Sequence, residues 1–184
     1  MNRPSPTEAL RREAREVPPS GIIDVVSYGW GREGLIPLWA GEGDLPTPAF
    51  IAEAATRSLA AGETFYQDNR GIPELREALA AYHGDLYGRA FPIESFLVTG
   101  SGMQSIQLAV QATVGAGEEI LVPTPVWPNL AAAAAVIGAR PVFVPMDFGP
   151  TGWTVPLDRL ERAITPRTRA IFVNTPSNPS GWVA

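Results

Sequence analysis

A chain of 184 residues with 45% hydrophobic and 18% charged side chains has room for one ordinary domain and is too apolar to be disordered. Its net charge of −5 argues against non-specific nucleic-acid binding, where a basic face supplies the affinity. Cysteine is absent, so disulfides and thiolate metal sites are excluded, and no metal site is assigned. All fourteen basic residues are arginines, which leaves no side-chain amine anywhere in the chain. The missing lysine reads either as coding bias or as truncation.

Near the start, Arg3, Arg11, Arg12 and Arg15 alternate with Glu8, Glu13 and Glu16 and no apolar run follows, which fits neither a secretory signal nor a transit peptide. No stretch approaches the apolar length of a membrane span, so the expectation is a soluble cytoplasmic protein. Residues 1–45 are rich in Pro and Gly, with one charged stretch, Thr7–Glu16, suited to a helix. Pro48 then suits the first turn of a helix running to about Ala61 and ended by Gly62. Pro73 opens a second helix, where Leu75, Ala78, Leu79 and Tyr82 fall at i, i+3, i+4 and i+7 and Gly84 is placed to end it.

Four short apolar runs follow: Phe96–Thr99, Glu119–Val122, Pro141–Val144 and Ala170–Val173. Between them the pattern predicts helices at about Gly102–Val114, Trp127–Ile137 and Leu157–Ile164, the last with a stripe of Leu157, Leu160 and Ile164. Strand–helix alternation of this kind predicts an α/β fold with a parallel sheet covered on both faces. Ligands of such sheets sit beyond the carboxyl ends of the strands. Gly100-Ser101-Gly102, Trp127 and Asn178 all fall there.

Val98-Thr99-Gly100-Ser101-Gly102-Met103-Gln104 reads as a strand, a tight glycine turn and a helix start. The first N–H groups of a helix have no intrahelical partner, and with the helix dipole they favour an anion such as a phosphate. The plain alternative is a capped helix behind a glycine turn. A dinucleotide fold fits less well, because Ser105 stands where a third small glycine is wanted. The strand that should end in an acidic residue ends at Val122-Pro123-Thr124, with Glu118 and Glu119 at its opposite end.

Taken together, these stretches resemble the class I/II aminotransferases of the fold-type-I pyridoxal-phosphate superfamily. Leu38-Trp39-Ala40-Gly41-Glu42-Gly43-Asp44-Leu45-Pro46-Thr47-Pro48 is similar to the family's opening segment, which implies that the backbone of Gly41 lies against the substrate carboxylate. Tyr66 followed by Gly71-Ile72-Pro73-Glu74-Leu75-Arg76 resembles the signature whose tyrosine reaches the cofactor phosphate of a partner subunit. Ser101, Gly102 and Met103 match the phosphate-binding turn, and Trp127, in Pro123-Thr124-Pro125-Val126-Trp127-Pro128-Asn129, matches the aromatic that stacks on the pyridine ring. Asn174-Thr175-Pro176-Ser177-Asn178-Pro179-Ser180-Gly181 is the most specific stretch, and the resemblance implies that Asn178 hydrogen-bonds the cofactor's phenolic oxygen. Trp39 and Asn129 stay open between substrate contact and a structural role.

The resemblance implies the N-terminal part of the fold-type-I pyridoxal-phosphate transferase fold, a mainly parallel sheet flanked by helices and incomplete. Residues 1–47 would be an N-terminal arm and small-domain segment, and 48–184 the first part of the large cofactor-binding domain. It implies pyridoxal 5′-phosphate as cofactor, a small amino acid and a 2-oxo acid as substrates, and a homodimer. No catalytic residue is assigned, because the Schiff-base lysine, the acidic partner of the pyridine nitrogen and the carboxylate-gripping arginine follow the Asn-Pro motif in the family. A chain of this extent would be inactive alone. Phe96–Thr99 would lack its sheet neighbours, leaving strand edges and apolar helix faces exposed and the chain prone to aggregate. A lyase, a decarboxylase or a cyclopropane-forming synthase of the same superfamily, and a non-catalytic binding remnant, remain the alternatives.

Overall fold

The computed structural model describes residues 5–39 and 41–184, so Arg3 and Ala40 of the stretches named above lie outside the described residues. Two compact units are present: the residues up to Asp24 together with Ser101–Ala184, and Val25–Gly100.

The first unit is built on a parallel three-stranded sheet, in the order β2 (Arg140–Pro145), β1 (Glu119–Thr124), β5 (Thr168–Ile171). β1 is central, and Ile120, Leu121 and Val122 are almost wholly buried. An apolar run without alternation is what a strand covered on both faces requires. Pro123, which cannot donate to a ladder, lies beyond the residues that β5 pairs with, so its missing N–H breaks nothing on that side. On one face, α5 (Gly102–Thr113) and α6 (Asn129–Val136) bury Val110, Val114, Leu130, Ala133 and Ala134 against Ile120 and Val122.

Burial on this scale gives roughly 1.5–3 kcal/mol for each large aliphatic side chain. A helix α7 (Leu157–Arg162) precedes β5, with Leu157 and Ile164 of the expected stripe exposed. The stretch Phe148–Trp153, for which no strand is expected, forms a hairpin of β3 (Asp147–Gly149) and β4 (Gly152–Thr154). Its signal was two aromatics flanking Gly149-Pro150-Thr151-Gly152, and the two rings stand 4.9 Å apart.

At the amino-terminal end of the sheet, Glu119 is buried, with its side chain 1% exposed. Its Oε2 accepts from Thr165 Oγ1 at 2.6 Å, and its Oε1 accepts from Arg167 Nε and Nη2 at 3.1 and 2.8 Å. Arg140 stands 3.6 Å away. One carboxylate thereby clasps the start of β1, the start of β2 and the turn into β5. Glu118 beside it accepts from Gly115 N–H at 2.8 Å and pairs with Arg169 at 3.3 Å. Both glutamates that count against dinucleotide binding are therefore structural.

The charged N-terminal stretch is helical only over α1 (Arg12–Glu16). Ser5 and Glu8 cap each other in a separate turn, through bonds of 2.7 and 3.3 Å, and Arg11 is extended with ψ of 150°. Arg11 reaches instead to the last carbonyl of α6, at Val136, with a 2.8 Å bond.

A helix absent from the sequence expectation, α2 (Gly21–Gly29), follows. Its Ile22, Ile23, Val25 and Val26 favour strands by propensity, and Gly29 is the one residue of the helix that is buried, so core packing does not account for it.

In the second unit, α3 (Ala49–Ala60) starts after Pro48 and ends before Gly62, whose φ is +76°. α4 (Pro73–Tyr87) runs through Gly84 rather than ending there. The left-handed residue that stops it is Gly88, with φ of +63°, while Gly84 lies under the returning chain near Arg89 O. The stripe that marks this helix in the sequence is mostly exposed, with Leu75 at 41% and Tyr82 at 63%. What α4 buries is Arg76, which donates to Phe96 O and Ile93 O, both at 2.9 Å. His83 packs beside it against Phe96, with ring centroids 5.2 Å apart. Phe96–Thr99, read from the sequence as a strand before the glycine turn, forms none: Val98 N–H donates to Arg70 O at 2.8 Å instead of to a sheet partner.

Two outcomes follow from this packing. Glu119 titrates below its ordinary value of 4.5, held down first by Thr165, then by Arg167, against desolvation. Its contribution to stability is therefore present above its unfolded pKa and lost as pH falls through the lower folded one. The melting temperature of the wild type should fall more steeply on acidification below pH 5 than that of Glu119→Gln, which should start lower at pH 7. Parallel curves for the two proteins would remove the clasp.

Gly71 has φ of +104°, and a Cβ there would stand 2.6 Å from Val98 Cβ. Gly71→Ala should cost about 2–4 kcal/mol in urea unfolding, from backbone strain together with overpacking. Gly62→Ala, with positive φ but nothing within 4 Å, should cost about 1 kcal/mol.

Candidate functional site

Because β1 and β5 are adjacent and parallel, their carboxyl ends deliver two loops side by side. The first, after Thr124, carries Trp127, and the second, after Ile171, carries Asn178. Trp127 N–H donates to Asn178 O at 2.7 Å. Trp127 is half-buried and Asn178 is exposed. Three peptides in these loops are cis: Thr124–Pro125, Thr175–Pro176 and Asn178–Pro179.

The Asn178 loop is closed on itself. Asn174 Oδ1 accepts from Asn178 N–H at 2.8 Å, Ser177 N–H donates to Trp182 O at 2.8 Å, and Gly181 N–H donates to Ser177 O at 2.7 Å. Gly181, with φ of +71°, makes the turn that this closure needs. Ser177 is buried.

The third element is the start of α5. Ser101 is its N-cap in extended backbone, and its Oγ accepts from Gln104 N–H at 3.2 Å. Helical geometry leaves the first-turn N–H groups of Gly102 and Met103 without intrahelical acceptors. A Cβ on Gly102 would meet no atom within 4 Å. Met103 is half-buried, and further along α5, Gln107 Nε2 lies 3.5 Å from Ala133 O on α6. The Ser101 turn and the Trp127 loop are thus braced on the same core cluster.

Gly41 and Tyr66 belong to the second unit. Gly41 is exposed, with open space at its Cα. Trp39, two residues earlier, packs so closely on Gly29 that a Cβ there would meet its ring at 2.3 Å, which gives Trp39 a structural part. Tyr66 is fully exposed at the head of a loop whose shape is set by Asp68 and Arg70. Hydrogen bonds from the Arg70 side chain and backbone hold the Asp68 carboxyl down at about 2, so the pair stays charged throughout the neutral range.

Sequence reasoning passed over Asn174, Ser177, Trp182 and the bracing Arg76. For Asn174 a signal existed: an asparagine placed to close a local turn on the backbone of Asn178. Among the described residues, no helix is long and apolar enough to cross a membrane, and no cluster of three acidic or histidine side chains could hold a metal ion.

The family described as aminotransferase class I and II matches residues 33–184. The aspartate/prephenate aminotransferase of Thermus thermophilus is 38% identical over 182 residues, which are 98% of this chain and 44% of that protein. The aromatic-amino-acid aminotransferase 2 of Thermococcus litoralis is 37% identical over 95% of this chain and 45% of its own length. Among solved structures, the aspartate aminotransferase of Rhizobium meliloti superposes with a TM-score of 0.85 at 31% identity, covering 95% of this chain and 44% of that one. The chain thus spans a little under half the length of these relatives, and its sheet and helices are those of the first part of their fold. With the fold, the ordered motifs and the family match in agreement, the chain belongs to the class I and II aminotransferases, a family dependent on pyridoxal 5′-phosphate.

Proposed function

We propose that the chain is the cofactor-gripping portion of an aminotransferase that moves an amino group between an amino acid and a 2-oxo acid, with pyridoxal 5′-phosphate as its cofactor. The observation that carries this is the 2.7 Å bond joining the Trp127 and Asn178 loops, in the same unit as the helix start capped by Ser101. An anion-binding helix end, a half-buried indole and an exposed amide are a donor set that fits a phosphorylated hydroxypyridine.

In this reading Ser101, Gly102 and Met103 hold the phosphate through first-turn N–H groups and the Ser101 hydroxyl. Trp127 stacks on the ring, and the Asn178 amide donates to the phenolic oxygen. Gly41 offers its backbone to the substrate carboxylate, and Tyr66 reaches the phosphate held by the other subunit of a homodimer. Its exposure suits a residue that serves across an interface.

When bound, the cofactor supplies an electron sink for the Cα carbanion. The protein's share here is to bind and orient. The covalent lysine, the acidic residue and the carboxylate-gripping arginine would come from outside these 184 residues. Residues 1–47 then serve as the arm and small-domain segment and 48–184 as the first part of the large domain, in a cytoplasmic enzyme.

Pyridoxamine 5′-phosphate tests this directly, because it binds without any lysine. The chain should quench its own tryptophan fluorescence on titration with this ligand and bind it in equilibrium dialysis. Trp127→Ala should raise the dissociation constant about 2- to 10-fold, the value of one stacking contact. Equal affinities for the two proteins would take Trp127 out of the site.

A further inference from the structure

We propose that Asn174 is a positioning residue that sets both cofactor-facing loops from a single side chain; the inference rests on the reading just given. Asn174 lies three residues past the end of β5. Its Oδ1 accepts the Asn178 N–H at 2.8 Å, closing a local turn, and its Nδ2 lies 3.4 Å from Pro176 O. The carbonyl of the same Asn178 accepts the Trp127 N–H at 2.7 Å. A chain of polar contacts therefore runs from the Asn174 side chain, through both faces of the Asn178 backbone, to the indole loop after β1.

Asn174 is half-buried and lines a cavity of about 10 Å³ with Pro123, Val126, Phe172 and Trp182. The far half of the loop has its own bonds, from Ser177 to Trp182 and from Gly181 to Ser177. Removing the Asn174 amide should loosen Asn178 and Trp127 while leaving that half closed.

What Asn174 supplies to Asn178 is an acceptor, and aspartate keeps it while alanine does not. Three proteins separate the possibilities: the wild-type chain, Asn174→Ala and Asn174→Asp. Amide hydrogen exchange is read at Trp127, Asn178 and Gly181, and affinity is read with pyridoxamine 5′-phosphate. Asn174→Ala should speed exchange at Asn178 and Trp127 about 3- to 10-fold, the worth of one hydrogen bond, with Gly181 unchanged. Its dissociation constant should rise by a similar factor, and Asn174→Asp should bring both back to within about 3-fold of wild type.

Unchanged exchange at Trp127 in Asn174→Ala would overturn the proposal. So would an affinity loss that aspartate fails to restore while exchange is restored. Faster exchange at Asn178 and Trp127 in Asn174→Ala, with no ligand binding in any of the three proteins, would refute the cofactor reading and leave Asn174 with a purely structural part. A wild type that binds, beside an Asn174→Ala that binds equally well, would refute the positioning role alone.

Discussion

The sheet of the first unit depends on a buried carboxylate. Glu119 holds the amino-terminal ends of β1 and β2 and the turn into β5, and these are all the strands the sheet has. Three strands bury little apolar surface between them, so a charge-assisted fastening at one end has more to do than it would in a larger sheet. The buried carboxylate is the shared member, since Thr165, Arg167 and Arg140 all meet it, and removing it unfastens all three at once. Fixing the amino-terminal ends fixes the spacing at the carboxyl ends, where the Trp127 and Asn178 loops begin.

Those loops meet through main-chain atoms, and the third element, the start of α5, reaches them through the apolar cluster of Val110, Leu130 and Ala133. The second unit is organised differently, around a buried guanidinium and a ring of aromatics. Arg76 ties α4 to the segment at 93–96, and Gly71 lets the Tyr66 loop lie directly on Val98. The sequence signature from Tyr66 to Arg76 thus has a structural account for two of its members: glycine because of a close approach and an arginine because of two carbonyls.

Much of the fold was legible because its signals were local. Pro48, Pro73 and Ser101 mark helix starts, and the run Ile120–Val122 marks a strand buried on both faces. The failures came where a local signal misleads. Gly84 resembles a helix stop, but a stop needs a left-handed residue, and Gly88 supplies it. Gly21–Gly29 is a helix although its residues favour strands, and most of them stay exposed. The candidate site residues were read as motifs, by order along the chain. Of the residues that hold the Asn178 loop in shape, Asn174 carries the local turn signal of an asparagine, whereas a serine such as Ser177 inside a Pro-rich stretch gives no sign of which backbone group it closes on.

The exposed face of α4 and the backbone link between the two loops differ in how they respond to sequence change. Leu75 and Tyr82 contribute through their side chains, and any substitution there alters the surface they present. The Trp127–Asn178 link is made by a peptide N–H and a peptide carbonyl, which almost every residue carries. The ring and the amide that the two loops display can therefore be exchanged by mutation without dismantling the frame that displays them. Such a division lets one scaffold host variant chemistries, since the parts open to selection are not the parts that keep the geometry.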